Sequence, residues 1–395
     1  MASLNVLTTP IGIFTSITFP PDQQIVPENP MRLVLVLDIS GSMAPNMAYV
    51  QSTALSSVDL LENGSSLRIL TFDHIVNVVL DETVLTSENR VSIKDRIKTQ
   101  LVNRHGGTDL QSALIYALSG SGAGTGQSIM LMTDGLANSG SLTQSDDLIY
   151  LARRIPGYDL NKVHCLGLQV HESDGINSDL LMTLAQDTNG TFKLARDPEA
   201  ITCFLGDVMA AHFMTTRKGC KIQMDNSTLL TSIGLNGFDL RSDRPTTLVY
   251  RTPNVKMPND DPCGDSQETV ADPTINFYNN SLWTHLETEI STKALPDAIF
   301  KAYASYLIHQ FKNDYTTDIK NQVQSLLGYL KPLEDTNLAY VPIIIQLEKT
   351  LQGLNMQENA ELSACLYSMS SCSGHDSQQV VDFRNLARMA SQNQC

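Results

Sequence analysis

The chain has 395 residues, a formal net charge of −15 and a pI near 4.9, a balance that excludes the basic surface needed for nucleic acid or anionic membrane. Its 42% hydrophobic and 17% charged residues are those of a globular protein, and its length exceeds what one core organises, so two or three domains are expected. No segment approaches the ~20 apolar residues of a membrane span, and the start, Met1-Ala2-Ser3-Leu4-Asn5, lacks the basic opening and apolar run of a signal peptide. An intracellular, cytoplasmic location is therefore expected. The cysteines, Cys165, Cys203, Cys220, Cys263, Cys365, Cys372 and Cys395, are scattered without a Cys-x-x-Cys pair and read as reduced thiols. Cys365, Cys372 and His375 lack both the spacing and the fourth ligand of a zinc site.

Residues 1–30 hold two extended stretches, 4–9 and 11–19, and then the prolines Pro20, Pro21, Pro27 and Pro30, which read as a connector. From 31 to 212 strands and helices alternate, the pattern of a mostly parallel sheet covered on both faces. The run Leu33-Val34-Leu35-Val36-Leu37 reads as a fully buried strand. A helix is expected over 46–61, braked at Asn63-Gly64. Strands over 67–72 and 75–80 are separated by so short a gap that they must form a hairpin, giving the sheet one antiparallel member. Helices over 88–101 and 110–118 follow, joined through the turn His105-Gly106-Gly107-Thr108-Asp109. The Gly-rich run 120–126 lacks the Gly-Lys-Ser/Thr ending of a phosphate loop and reads as a linker. Strands are expected over 128–132, 163–170 and 192–195, with helices over 147–154, 180–187 and 198–213. The result is a doubly wound α/β domain of about six strands and six helices.

Beyond 215 short strands are expected at 220–224, 229–233, 247–250 and 274–278, as in a small β-sandwich over 213–280, with residues 1–30 adding strands to it. From 281 to 370 the pattern reads as a helical bundle. Its apolar stripes are Leu282/Leu286/Ile290, Ile299/Tyr303/Leu307, Ile319/Val323/Leu326/Leu330, Leu338/Val341/Ile345 and Leu362/Leu366/Met369, with Trp283 and Tyr303 in its core. Residues 371–395 form a Ser- and Gln-rich tail.

The chemistry concentrates where apolar strands end in oxygen donors. Asp38, Ser40 and Ser42 follow the first buried strand, Thr108 stands in the glycine turn, and Asp134 follows the strand at 128–132. In such sheets ligands sit outside the carboxyl ends of the strands. Two carboxylates and several hydroxyls are the hard donors that Mg²⁺ prefers. Each loop alone is also explained as a helix cap or turn, because Ser, Thr and Asp are common there.

Residues 31–212 closely resemble the von Willebrand factor type A (vWA) family, on the pattern Asp38-x-Ser40-x-Ser42, then Thr108, then Asp134 in Thr133-Asp134-Gly135. The resemblance implies a Rossmann-like fold with a metal-ion-dependent adhesion site (MIDAS). Mg²⁺ or Mn²⁺ would be held by Asp38, Ser40, Ser42, Thr108 and Asp134, its open position taken by an Asp or Glu of a protein partner. The later element order resembles the Vwaint arrangement of intracellular vWA proteins, whose RING or Hint chemistry has no counterpart here. The expectation is a non-enzymatic, metal-dependent protein-interaction module with the rest as scaffold. Two alternatives stand beside it: a structural subunit of a large assembly such as a viral particle, not relying on the metal, and a metal-assisted phosphoester hydrolase.

Overall fold

The computed structural model describes residues 2–22, 30–102, 106–119, 126–168, 176–195, 198–224, 227–252, 275–279, 282–285, 288–290, 296–313, 316–334 and 337–352. The glycine run at 120–125, His105, the expected helix at 362–369, the tail at 371–395 and Cys365, Cys372 and His375 lie outside these residues. Two strands open the chain, β1 (Ala2–Thr9) and β2 (Gly12–Phe19), and a third, β3 (Arg32–Asp38), leads to α1 (Met47–Leu60). Strands β4 (Ser66–Phe72) and β5 (Val76–Val84) precede α2 (Arg90–Gln100) and α3 (Leu110–Leu118). Then come β6 (Ser128–Thr133), α4 (Ser145–Arg154), β7 (Lys162–Leu168), α5 (Ser178–Asp187), β8 (Phe192–Ala195) and α6 (Pro198–Phe213).

Strands β3 to β8 form one sheet in the order β5-β4-β3-β6-β7-β8, parallel except for the β4–β5 pair. The alternation of side chains along β3 explains its unbroken apolar run. Leu33, Leu35 and Leu37 enter one core with residues of α1, α2 and α6, while Val34 and Val36 enter a second with residues of α3, α4 and α5. A strand covered on both faces has no polar positions to offer until it leaves the sheet, which happens at Asp38.

The remaining strands are β9 (Thr215–Met224), β10 (Thr228–Leu229), β11 (Phe238–Arg241), β12 (Thr246–Thr252), β13 (Ile275–Asn279), β14 (Leu282–His285) and β15 (Thr288–Ile290). They and the first two strands make a five-stranded sheet, β10-β12-β2-β1-β15, and a four-stranded sheet, β11-β9-β13-β14. Ile17, Phe19, Leu248 and Tyr250 of the larger sheet pack on Cys220, Phe238 and Leu240 of the smaller. The opposite face of the larger sheet, at Phe14 and Val249, meets the helices α7 (Pro296–Asn313), α8 (Thr317–Leu330) and α9 (Val341–Gln352). Tyr303 is buried there, its ring centroid 5.2 Å from that of Phe14.

Residues 282–290 correct the sequence reading. The stripe Leu282/Leu286/Ile290 suggested a helix; Leu286 lies outside the described residues, and the structure has strands on either side of it, with Trp283 in β14, opposite Tyr278, instead of in a helix of the bundle. A spacing of four residues is a multiple of two, so it marks one face of a strand as well as one face of a helix. Trp283, Thr284 and Thr288 favour the strand. The first helix of the bundle therefore starts at Pro296. The strand expected at 229–233 shrinks to β10, and β11 gave no sequence signal, having only four residues.

The α/β layer is tied to the sandwich by a nearly buried ion pair. Lys162, the first residue of β7, places Nζ 2.7 Å from Asp239 Oδ2 of β11 and donates to Thr215 Oγ1 at 2.7 Å. Leu235 N–H donates to Asp187 O, and Asn189 bonds Gly234 N–H and Gly237 O, across the same junction. Since parallel strands share a direction, this junction adjoins the amino end of β7 and leaves the carboxyl edge of the sheet clear of it. Asp239→Ala strands the Lys162 ammonium and is expected to lower unfolding stability by about 3 kcal/mol, measured by urea denaturation.

Candidate functional site

The parallel register decides which loops meet. Leu37 of β3 pairs with Met132 of β6, so Asp38 emerges beside Thr133 and Asp134 although they are far apart in sequence. Thr133 Oγ1 donates to Asp38 Oδ2 at 2.6 Å, and Ser40 N–H donates to Asp38 Oδ1 at 2.9 Å. The Asp38 carboxylate is 0% exposed, and among the described residues no lysine or arginine is its partner. Burial pushes its pKa up to about 6, and the charge of neighbouring Asp134 adds to this against the lowering by Thr133 and Ser40.

The second carboxylate is held from two sides. Ser42 Oγ donates to Asp134 Oδ2 at 2.8 Å, and Leu136 N–H donates to Asp134 Oδ1 at 3.0 Å. Ser40 Oγ lies 3.2 Å from Ser42 Oγ. Gly135 makes the turn possible: its φ is +74°, and a Cβ there would come within 3.2 Å of Asn177 O.

Thr108 is fixed through its backbone. Its N–H donates to Asn138 Oδ1 at 2.7 Å, and its carbonyl accepts from Asn138 N–H and Ser139 N–H, both at 3.2 Å. The next residue, Asp109, donates its N–H to Asp73 O at 2.6 Å. Gly41 N–H approaches Gly106 O at 3.4 Å, linking this loop to the serine loop. At Gly106 a Cβ would stand 2.9 Å from Asp73 Oδ2 and closer still to the His74 ring, so a larger residue requires those side chains to shift.

All five sequence-derived residues thus lie in three loops that hydrogen-bond to one another at the carboxyl edge of the sheet. Helix capping does not account for them. Asp109 caps α3 by accepting from Ser112 N–H, and Ser40 makes no side-chain cap bond. The donor chemistry fits a hard divalent ion: two mutually repelling carboxylates, one fully buried without a cationic partner among the described residues, and serine hydroxyls beside them. Among the described residues no group of three or more His, Cys, Asp or Glu is placed to hold a metal, so a nitrogen- or sulfur-rich site is not formed there. His164 is buried in β7 with its Nδ1 accepting from Thr191 N–H, and burial pushes its pKa down to about 3, so it offers no base to this edge.

Three residues with a part in this geometry were not singled out from sequence: Thr133, Asn138 and Asp73. Thr133 stood in the quoted Thr-Asp-Gly turn, which was the one available signal. Asn138 and Asp73 gave none, because their partners lie 30 or more residues away.

Residues 33–137 match the family model of the von Willebrand factor type A domain. Over 180 residues the chain is 30% identical to an uncharacterized protein of Synechocystis sp., sll0103, a stretch covering 44% of this chain and 40% of that protein. The chain thus spans less than half the length of the curated relative it matches. A solved von Willebrand factor type A protein from Catenulispora acidiphila has a TM-score of 0.57 at 14% identity, covering 95% of this chain and 97% of its own. The ArnB paralog VWA2 from Sulfolobus acidocaldarius has a TM-score of 0.53 at 14% identity, covering 95% and 98%. At that identity the likeness is one of fold, and it extends through the sandwich and bundle. No helix among the described residues is long and apolar enough to cross a membrane.

In metal-free protein the raised pKa of Asp38 sets a pH slope. The protonated form is favoured in the fold, so its stabilising share is complete below pH 3.8 and is lost as pH rises through about 6. Asp38→Asn is expected to remove this loss, raising Tm at neutral pH by an amount equivalent to roughly 3 kcal/mol and changing Tm little in acid. Thermal melts of both proteins across pH, in chelator, measure it.

Proposed function

We propose that the von Willebrand factor type A domain of this chain is a non-enzymatic, metal-dependent docking module for a protein partner that presents an Asp or Glu. vWA domains generally mediate protein–protein interaction, and the finer reading rests on one observation. The fully buried Asp38 carboxylate, with no lysine or arginine partner among the described residues, sits where Ser40, Ser42, Asp134 and the Thr108 loop meet. Asp38, Ser40, Ser42, Thr108 and Asp134 would hold Mg²⁺ or Mn²⁺, and the ion would supply an electrophilic position for a partner's carboxylate. The residues of the chain prepare that position in advance. Thr133 and the Ser40 N–H aim Asp38, Ser42 orients Asp134, and Asn138 keeps the Thr108 and Asp134 loops at a fixed separation. Neutral hydroxyls donate little charge, so such an ion would keep its attraction for an incoming acid. The sandwich and bundle, resembling the Vwaint arrangement, serve as scaffold on the far side of the sheet.

Calorimetric titration of the full chain with Mg²⁺ and Mn²⁺ tests the reading. Wild type is expected to bind one ion, and Asp38→Ala to lose that binding while staying folded; an intact wild type that binds neither ion overturns it. Asn138→Ala is expected to weaken ion affinity ~10-fold or more, as loss of an outer-shell support does. Asn138→Asp keeps an oxygen acceptor for the Thr108 N–H and is expected to retain most of the affinity.

A further inference from the structure

The larger sandwich sheet is short at one edge. Its edge strand β10 has only two residues, and between it, β12 and the helices α7 and α8 lies a cavity of about 230 Å³. Thr228, Leu230 and Arg251 line it from the sheet, Leu307 and Gln310 from α7, and Asp318 from the first turn of α8. Leu230 and Leu307 are buried, whereas Thr228 and Asp318 are exposed, so the lining runs from core to solvent. The cavity shares no residue with the loops of Asp38, Thr108 and Asp134, and metal-dependent docking makes no use of it.

Strand register aims Arg251 at this space. Thr228 pairs with Arg251, and Arg251 with Phe14, across β10, β12 and β2. Directly paired residues share a face of the sheet, and that face packs Phe14 on Tyr303 of α7. The guanidinium is then held from three sides. Nε and Nη2 both donate to Ile11 O, at 3.3 and 2.9 Å, and the guanidinium carbon lies 5.0 Å from the centroid of the buried Tyr303 ring. Gly12 has φ +145°, and a Cβ there would stand 2.9 Å from Nε. Ile11 O takes one N–H each of Nε and Nη2, so both N–H groups of Nη1 and the second of Nη2 have no partner among the described residues. A guanidinium fixed in position with this edge open is a ready seat for a carboxylate.

The helices supply the complementary charge. Asp318 Oδ2 accepts from Gln322 Nε2 at 2.8 Å, and Gln322 Oε1 accepts from Tyr303 O–H at 3.2 Å. These bonds connect the carboxylate to the ring on which Arg251 rests and leave Asp318 Oδ1 open. Arg251 and Asp318 thus line one cavity without pairing with each other, above an apolar floor of Leu230 and Leu307. A molecule with a carboxylate, an ammonium and an apolar group matches all three features. The volume is below the roughly 300 Å³ at which pockets for larger ligands begin, which limits the occupant to about one amino acid.

We propose that this cavity binds a free apolar α-amino acid, with its carboxylate on Arg251, its ammonium on Asp318 and Gln310, and its side chain on Leu230 and Leu307. The seam between sandwich and bundle is then a small-molecule site in its own right, separate from the edge of the α/β sheet.

Calorimetric titration of the full chain in EDTA with L-leucine, L-methionine and L-phenylalanine tests this. At least one is expected to bind at a single site. Its N-acetyl derivative, which lacks the ammonium, and its amide, which lacks the carboxylate, should each bind about tenfold more weakly, the scale of one lost hydrogen bond to a charged group. Asp318→Asn should bind the amino acid and its N-acetyl derivative alike, and Arg251→Gln the amino acid and its amide alike. Asp318 is exposed, so its variant is expected to keep the wild-type Tm, and it decides the matter if Arg251→Gln fails to fold for want of the Ile11 contact. A wild type that binds none of the three amino acids overturns the proposal, as do derivatives that bind as tightly as the parent or an Asp318→Asn variant that discriminates as wild type does.

Discussion

A buried carboxylate without a basic partner among the described residues is the constraint around which this sheet edge is built. β3 is covered on both faces, so the first polar group it can present is at its end, and that group, Asp38, is still fully buried. Burying a charge in this way is unfavourable unless something compensates. The compensation supplied by the chain is partial: one hydroxyl from Thr133 and one N–H from Ser40, with Asp134 working against both. Perturbed ionisable groups gather where proteins bind or react, and this edge fits that rule through named contacts.

The loops around Asp38 are held more firmly than turns require. Asn138 and Ser139 bracket the backbone of Thr108, Ser42 reaches Asp134, and Gly106 lets the Asp73 and His74 side chains pack closely against the loop. A binding geometry set by hydrogen bonds among loops needs little reordering when a ligand arrives, which favours affinity. The sandwich attaches at the amino end of β7 through Lys162 and Asp239, so the two ends of the sheet are used differently. One end fastens the domain to its neighbours, and the other carries the loops of the proposed site. Fold likeness to two solved vWA-type proteins over 95% of the chain shows that this three-part architecture is not peculiar to the present sequence.

Much of the α/β domain was legible because its signals are local. An apolar run bounded by acid, a helical stripe stopped by Asn-Gly, and a two-residue gap between strands each follow from chain geometry over a few residues. Asp38, Ser40, Ser42, Thr108 and Asp134, the residues of the proposed site, could be picked out for the same reason, each standing where a strand or turn ends. At 282–290 local pattern failed, since a period of four fits both a helix and a strand, and pairing of β14 with β13 decided between them.

By itself the sequence determined which residues could be donors and which strand would be buried, because burial and periodicity are properties of neighbouring residues. Tertiary structure alone decided that Thr133 bonds Asp38, that Asn138 holds Thr108, and that Asp73 O accepts from Asp109 N–H. Those contacts join residues from 30 to 95 positions apart. They depend on the register of parallel strands and on where glycine lets two loops approach, and neither quantity is written in any short stretch of chain.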